Sequence, residues 1–317
     1  MKESFFLSVR AVVPMFLLVI TGYTLRRINL IKAEIIKPIN KLVFSVFLTS
    51  NLIKSLISAD LSTSFSWQLS VYIVMAHLVM LIGLWWVVPR YIREKKRAGS
   101  FIQCVYRSNC VLIGFSICAN LFGTAGASTM ALNLAIMVPF YNIFSVILLT
   151  YFAGSDAEGG LSFSAVLKSI VTNPLIISSF VGILLSAFQI RLPEIIQEPL
   201  FDLADCSTPI AMLFIGAQFS FDHAWSDIKI VSVACLLKLI ILPLLFIVPA
   251  IVLGFRGEQL GALLFFLAAP TAASAAIQTE AMNCDGVLAG EIQLFSTFFS
   301  AFTLFLWIFS LLMLGLM

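Results

Sequence analysis

The stretch Val105–Cys118, VYRSNCVLIGFSIC, decides how the rest of the chain is read. It is an apolar run long enough to enter a bilayer, yet it carries Arg107, Ser108 and Asn109 in its middle. At mid-membrane, polar groups are costly unless they face protein, water or a ligand. A second such stretch, Ala268–Glu280, AAPTAASAAIQTE, interrupts an apolar run with Pro270, Thr271 and Ser274. Two interrupted spans at corresponding places in two halves point to the substrate site of a secondary transporter.

Composition agrees with a membrane setting. The 317 residues are 61% hydrophobic and 11% charged, with a mean hydropathy of +1.06, whereas a soluble domain carries about a quarter charged residues. Apolar runs of about 20 residues recur from end to end. The first of them, Phe5–Leu25, is too long for a cleavable signal, contains Pro14 and lacks a small-residue cleavage site. The six cysteines form no CxxC pattern and no metal spacing, so they read as small apolar fillers. The 29 phenylalanines read as lipid-facing or packing surface.

Taken in order, the expected spans are Phe5–Leu25, Ile35–Ile57, Trp67–Val88, Phe101–Phe122 and Ala127–Phe152. After the polar linker Gly154–Gly160 come Val166–Ile190, Leu200–Phe219, Ile228–Leu253, Leu260–Glu280 and Val287–Leu316. The fold expected is an all-α polytopic membrane protein of about ten spans. Basic residues crowd the loops after the first and third spans, from Arg26 to Lys37 and from Arg90 to Arg97. Those loops are therefore expected on the cytoplasmic side, with both termini outside. Residues 1–153 and 164–317 then form two halves of five spans in opposite orientation, joined by a cytoplasmic linker at 154–163. Sliding one half by about 160 residues superposes the fourth span on the ninth, and Asn133 of the fifth on Gln293 of the tenth.

A helix broken at mid-membrane leaves backbone N–H and C=O groups facing the gap; N-terminal ends suit a carboxylate and C-terminal ends a cation. Ser108 and Asn109 favour the first break, and Pro270 forces the second. The same residues also serve elsewhere as glue between membrane helices, or as simple kinks. Arg107 at mid-depth wants an anion, and its planar fork suits a carboxylate, unless it snorkels or pairs internally. Lys238 lies about ten residues inside its span, and either compensates an acid such as Asp205 or Glu280 or stands in for a coupling cation. His77 is a candidate proton acceptor near it, or a hydrogen-bonded packing residue. Glu280, Gln278, Glu291 and Gln293 either hold an ion or form an ordinary solvated turn. No catalytic or metal-binding cluster is expected: His77 and His223 are far apart, and no HExxH or GxSxG motif occurs.

These residues resemble the auxin efflux carrier family in its compact bacterial, malate/malonate-permease-like branch. VVPMFLLVITGYTLRR (Val12–Arg27) is similar to that family's opening signature, and Asn109 and Gly114 match its fourth span. NPLIISSFVGILLS (Asn173–Ser186), Pro209 with Gly216, Lys238 with Pro243, and Pro270 are similar to its later spans. The resemblance implies a 5+5 inverted repeat with crossover helices 4 and 9, elevator-type and bile-acid-symporter/NhaA-like. Spans 1, 2, 6 and 7 form a scaffold in this scheme, and spans 3–5 and 8–10 a transport domain. It implies a carrier of small organic anions in the inner membrane, with a homodimer through the scaffold, no nucleic-acid partner and no cofactor.

Under that reading the anion binds at Ser108, Asn109, Pro270, Thr271 and Ser274, with scaffold contacts from Thr49 and Asn51. Arg107 or Lys238 supplies positive charge, and a proton is favoured over Na⁺ for coupling. The sequence departs from the family pattern at Ser116 and Thr49, where proline is usual, and at Ser274, where asparagine is usual. The alternatives are a cation/proton antiporter, a membrane-embedded enzyme, and a sensor that kept the fold without transport.

Overall fold

Apolar runs in a bilayer can satisfy their backbone groups internally as helices, and this chain does so. The computed structural model describes residues 2–58, 66–153, 172, 174–217 and 227–317. Among them the regular structure is helical, apart from one isolated antiparallel bridge between Ser108 and Thr271. The linker expected at 154–163, the start of the sixth span and His223 lie outside the described residues.

In order, the helices are α1 (Lys2–Arg27), α2 (Ala33–Leu42), α3 (Leu48–Ile57), α4 (Trp67–Tyr91), α5 (Lys95–Tyr106) and α6 (Phe115–Ala153). They continue as α7 (Pro174–Ala187), α8 (Glu194–Ala217), α9 (Ile228–Leu236), α10 (Leu242–Val252), α11 (Gly257–Ala268), α12 (Ala273–Ala281) and α13 (Gly286–Met313). Wider π-turns join three neighbouring pairs: Val43–Phe47, Cys110–Gly114 and Leu237–Ile241. Such turns often mark functional positions in a helix.

Six stretches among the described residues are long and apolar enough to cross a membrane: Ser4–Arg27, Trp67–Tyr91, Cys110–Ala153, Glu194–Ala217, Ile228–Val252 and Gly286–Met313. The protein is thus a multi-pass membrane protein. Shorter apolar helices occupy Ser45–Ile57, Ile176–Ala187 and Gly257–Ala268. The expected fourth and ninth spans are not single helices, because α5 stops at Tyr106 and α11 at Ala268. The turn expected before the fifth span is a kink inside α6 at Gly123, whose φ of 61° and ψ of −140° suit glycine.

Helix α1 crosses α8 with the two backbones nearly touching. A Cβ at Gly22 would fall 1.8 Å from the Leu213 carbonyl oxygen, and one at Gly216 would fall 1.8 Å from that of Val19. Only glycine permits this approach, the device small residues supply between membrane helices. Helix α3 packs against α7 and α8, extending that group. Helix α2 also packs against α8, the other helices pack around α6, α11 and α13, and Phe5 of α1 meets Phe305 and Phe309 of α13 edge to ring.

One end of this second group is tied by charge. Arg97, in the first turn of α5, pairs with Asp227, which precedes α9, and lies 3.6 Å from Asp285, which precedes α13. Asp285 also caps its own helix, accepting from the Leu288 N–H at 3.0 Å. Three helix starts are thereby held to one guanidinium.

Candidate functional site

The two interrupted segments meet. After α5 ends, Arg107 is extended (φ −88°, ψ 108°), and after α11 ends Ala269 is extended too (φ −62°, ψ 147°). The Asn109 N–H donates to the Pro270 carbonyl at 2.7 Å, and the Ala272 N–H donates to the Arg107 carbonyl at 3.2 Å. Ser108 and Thr271 thus form a one-residue antiparallel bridge between two broken helices. Side chains complete the accounting of freed backbone groups. The Thr271 hydroxyl donates to the Cys104 carbonyl at 2.7 Å, and the Thr271 N–H donates to the Ser296 hydroxyl at 3.1 Å. The crossing is buried: Ser108 is 3% exposed, Asn109 5% and Thr271 0%.

Four half-helix ends surround this crossing: the C-terminal ends of α5 and α11, and the N-terminal ends of the Cys110 π-turn and of α12. Both signs of helix-end charge therefore converge on one place. The Asn109 side-chain amide has no hydrogen-bond partner among the described residues. An amide with both donors and an acceptor unused, at a buried crossing, is chemically ready to hold a polar ligand.

Two cations flank the crossing. Lys238 lies in the π-turn between α9 and α10, is 1% exposed, and donates from its ammonium to the Ser108 hydroxyl. Arg107 donates to Ser145 at 2.9 Å, to Gln278 at 2.5 Å and to Asn142 at 3.3 Å, with its guanidinium 5.9 Å from the centre of the Tyr141 ring. No carboxylate pairs with either cation among the described residues. The two partners suggested for Lys238 are engaged elsewhere or exposed. Asp205 pairs with Lys54 at 2.5 Å, and Glu280 is exposed at the end of α12 beside Gly286.

His77 is fully buried on α4. Its Nδ1 lies 2.8 Å from the Ile73 carbonyl and takes the proton, leaving Nε2 to accept from the Tyr141 hydroxyl at 2.9 Å. Tyr141 in turn adjoins Ser108, the acceptor of Lys238. A polar path thus runs from His77 through Tyr141 and Ser108 to Lys238.

The remaining expected residues fall differently. Thr49 turns its hydroxyl to the carbonyls of Ser45 and Val46 in its own helix, at 3.0 and 2.7 Å. Ser274 sits half-buried in the first turn of α12. Asn51 and Asp205 line a cavity of about 430 Å³ between α3, α8 and the start of α6, beyond the π-turn from the crossing. Ser116 stands on the opposite wall, its hydroxyl 3.0 Å from that of Thr208. The expected site is thereby divided into a closed crossing and an open cavity.

The sequence model of a family described as membrane transport protein matches residues 7–308 of this chain. The chain belongs to the auxin efflux carrier family. An uncharacterised transporter of Methanothermobacter thermautotrophicus is 25% identical to it over 308 residues, covering 95% of this chain and 97% of that relative. As an auxin efflux carrier family member the protein is a membrane transport protein, and substrate and mechanism are left to the site.

Several residues of this family member were not anticipated from sequence. Tyr141, Asn142 and Ser145 all face the first break from α6. Their sequence shows only polar groups at helical spacing in an apolar span, which puts them on one face without saying what that face meets. Lys54 was also missed; a lone lysine within the second span was its signal.

Proposed function

We propose that the protein is a secondary active carrier of small organic carboxylate anions, such as malate or malonate, working by alternating access in the inner membrane. One observation carries this reading: Arg107 and Lys238 lie buried at the crossed breaks with no carboxylate on either among the described residues. Buried charge without a partner is strongly unfavourable. A transported anion supplies the missing charge, and the converging helix N-termini favour it further. The unpartnered Asn109 amide then orients the carboxylate beside Ser108 and Thr271. A cation/proton antiporter is the weaker reading, because the broken fourth span contains no acid to hold the cation.

In this reading the halves form an inverted repeat. The α1, α3, α7 and α8 group is the fixed scaffold through which two copies associate. The group tied by Arg97 moves as a transport domain, with both chain termini outside the cell. The path from His77 to Lys238 carries the coupling proton, and Na⁺ is disfavoured because Lys238 already provides a cation's charge.

The test is a thermal-shift screen of the purified protein with malate, malonate, succinate, citrate, lactate and indole-3-acetate, at two pH values and with Na⁺ or K⁺. Stabilisation by one carboxylate, abolished in Asn109→Ala at unchanged expression, is the expected result. Silence across the acids with a clear Na⁺ or proton response moves the reading to the antiporter. Full uptake by Asn109→Ala removes the crossing as the site.

A further inference from the structure

The cavity between α3, α8 and the start of α6 carries its own charge chemistry. Its two ionised lining groups are Lys54 of α3 and Asp205 of α8, and they hold one another at 2.5 Å. The partners differ in exposure: the Lys54 side chain is 28% exposed and that of Asp205 70%. The ammonium also lies 4.9 Å from the centre of the Phe201 ring. Around the pair the cavity presents neutral hydrogen-bonding groups on facing walls, Asn51 and Thr208 on one side and Ser116 and Asn120 on the other.

An ion pair this exposed contributes only about 0–1 kcal/mol, since water solvates the carboxylate nearly as well as the lysine does. Asp205 therefore holds Lys54 weakly. A carboxylate entering the cavity meets the same ammonium and also amides and hydroxyls that Asp205 does not use, so it outcompetes the internal acid. The Phe201 ring, attracted to the cation, keeps the ammonium in place while its anion changes. The cavity has room for a small organic acid: about 430 Å³ lies within the range of small-molecule sites.

We propose that Lys54 is the residue that reads the substrate's carboxylate in this cavity, and that Asp205 is its built-in competitor. The incoming anion displaces the Asp205 carboxylate from the Lys54 ammonium before it reaches the crossed breaks. With Asp205 engaged the cavity is neutral, and neutral or cationic solutes gain nothing by entering. The exchange makes the cavity a filter for anions ahead of Arg107 and Lys238. This inference rests on the organic-anion reading above.

The test uses the purified full chain, titrated by thermal shift with whichever acid of the six-member panel stabilises the unaltered protein most. Asp205→Asn is expected to lower the half-saturating concentration about fivefold, by freeing Lys54. Lys54→Gln is expected to raise it at least tenfold. In the double variant the gain from Asp205→Asn disappears, because there is no ammonium left to free.

A pair that only clamps α3 to α8 predicts otherwise: both single variants break the clamp and move together. Movement in the same direction, or no movement, overturns the proposal while leaving the organic-anion reading intact. A gain from Asp205→Asn that survives in the Lys54→Gln background also overturns it, since a general field effect then suffices. If Lys54→Gln fails to accumulate, the sign of the change in Asp205→Asn, at an exposed position, decides alone. No response of the unaltered protein to any acid removes the function reading and this inference with it.

Discussion

The two broken segments meet at one bridge but are broken by different means. At Ala269–Ala272 the device is local: Pro270 lacks an N–H and pushes Ala269 into the extended region, so α11 must stop there. At Arg107–Asn109 nothing in the backbone forbids a helix. That break is held open from outside, by the Pro270 carbonyl on Asn109, the Ala272 N–H on Arg107 and Lys238 on Ser108. The following π-turn, Cys110–Gly114, shows the helix restarting out of register. One break is written into its own sequence and the other is borrowed from its partner.

The largest effect should come from removing the local device. Pro270→Ala restores a residue about 3 kcal/mol better in a helix. Opposing it are four hydrogen bonds at the crossing, two between backbones and two through Thr271, each contributing about 1 kcal/mol. The terms nearly cancel, so both breaks should become heterogeneous together. The expected outcome is at least a tenfold loss of carboxylate uptake in proteoliposomes, with amide exchange altered at 107–109 as well as at 269–272. Changed exchange confined to the second segment would show the first break to be independent.

The two cations at the crossing offer the next contrast. Arg107 satisfies three neutral side chains, whereas Lys238 satisfies one. Removing Arg107 takes from Asn142 its donor among the described residues and leaves Gln278 only a 3.5 Å contact from Gln103, while Ser145 keeps Gln103 and Tyr106; removing Lys238 relieves a buried charge at the expense of one hydroxyl contact. Arg107→Met is therefore expected to lower the melting temperature by several degrees, and Lys238→Met to leave it unchanged or raise it. Uptake should be lost in both. Equal destabilisation by the two would mean that Lys238 has a structural rather than a ligand-directed role.

How much of this was legible beforehand follows from the same asymmetry. Pro270 discloses the second break, because a helix breaker acts locally and so can be read in one dimension, whereas the polar triplet at 107–109 only favours the first, which its partner holds open. The membrane class is equally legible from hydropathy. Pairing across the fold is not: Asp205 stands with Glu280 among the acids the sequence offers Lys238, yet it sits on Lys54, 151 positions away in the chain. Thr49 enters the site only through the family resemblance, and its hydroxyl is spent on its own helix. Tyr141 and Ser145 escaped because one tyrosine or serine in an apolar span has the same sequence signature whether it packs or binds. Gly22 and Gly216 stood out only as family signature, since a close crossing depends on which helix lies opposite.

The smallest effect should come from giving the borrowed break a device of its own. Ser116 lies at the second position of α6, just past the π-turn, with its hydroxyl 3.0 Å from that of Thr208. Ser116→Pro removes that contact, worth about 1 kcal/mol. Its ring would crowd the carbonyl four residues earlier, at Leu112, inside a turn that is already wider than an α-helix. The substitution is thus expected to be tolerated: uptake within about threefold of the unaltered protein and a melting temperature a few degrees lower. Its sharper use is in combination. If the first break depends on its partner, Ser116→Pro in the Pro270→Ala background should restore part of the lost uptake, by stopping a helix from forming through 107–109. No restoration, with Ser116→Pro alone well tolerated, would mean that the second break serves transport directly and not by holding the first one open.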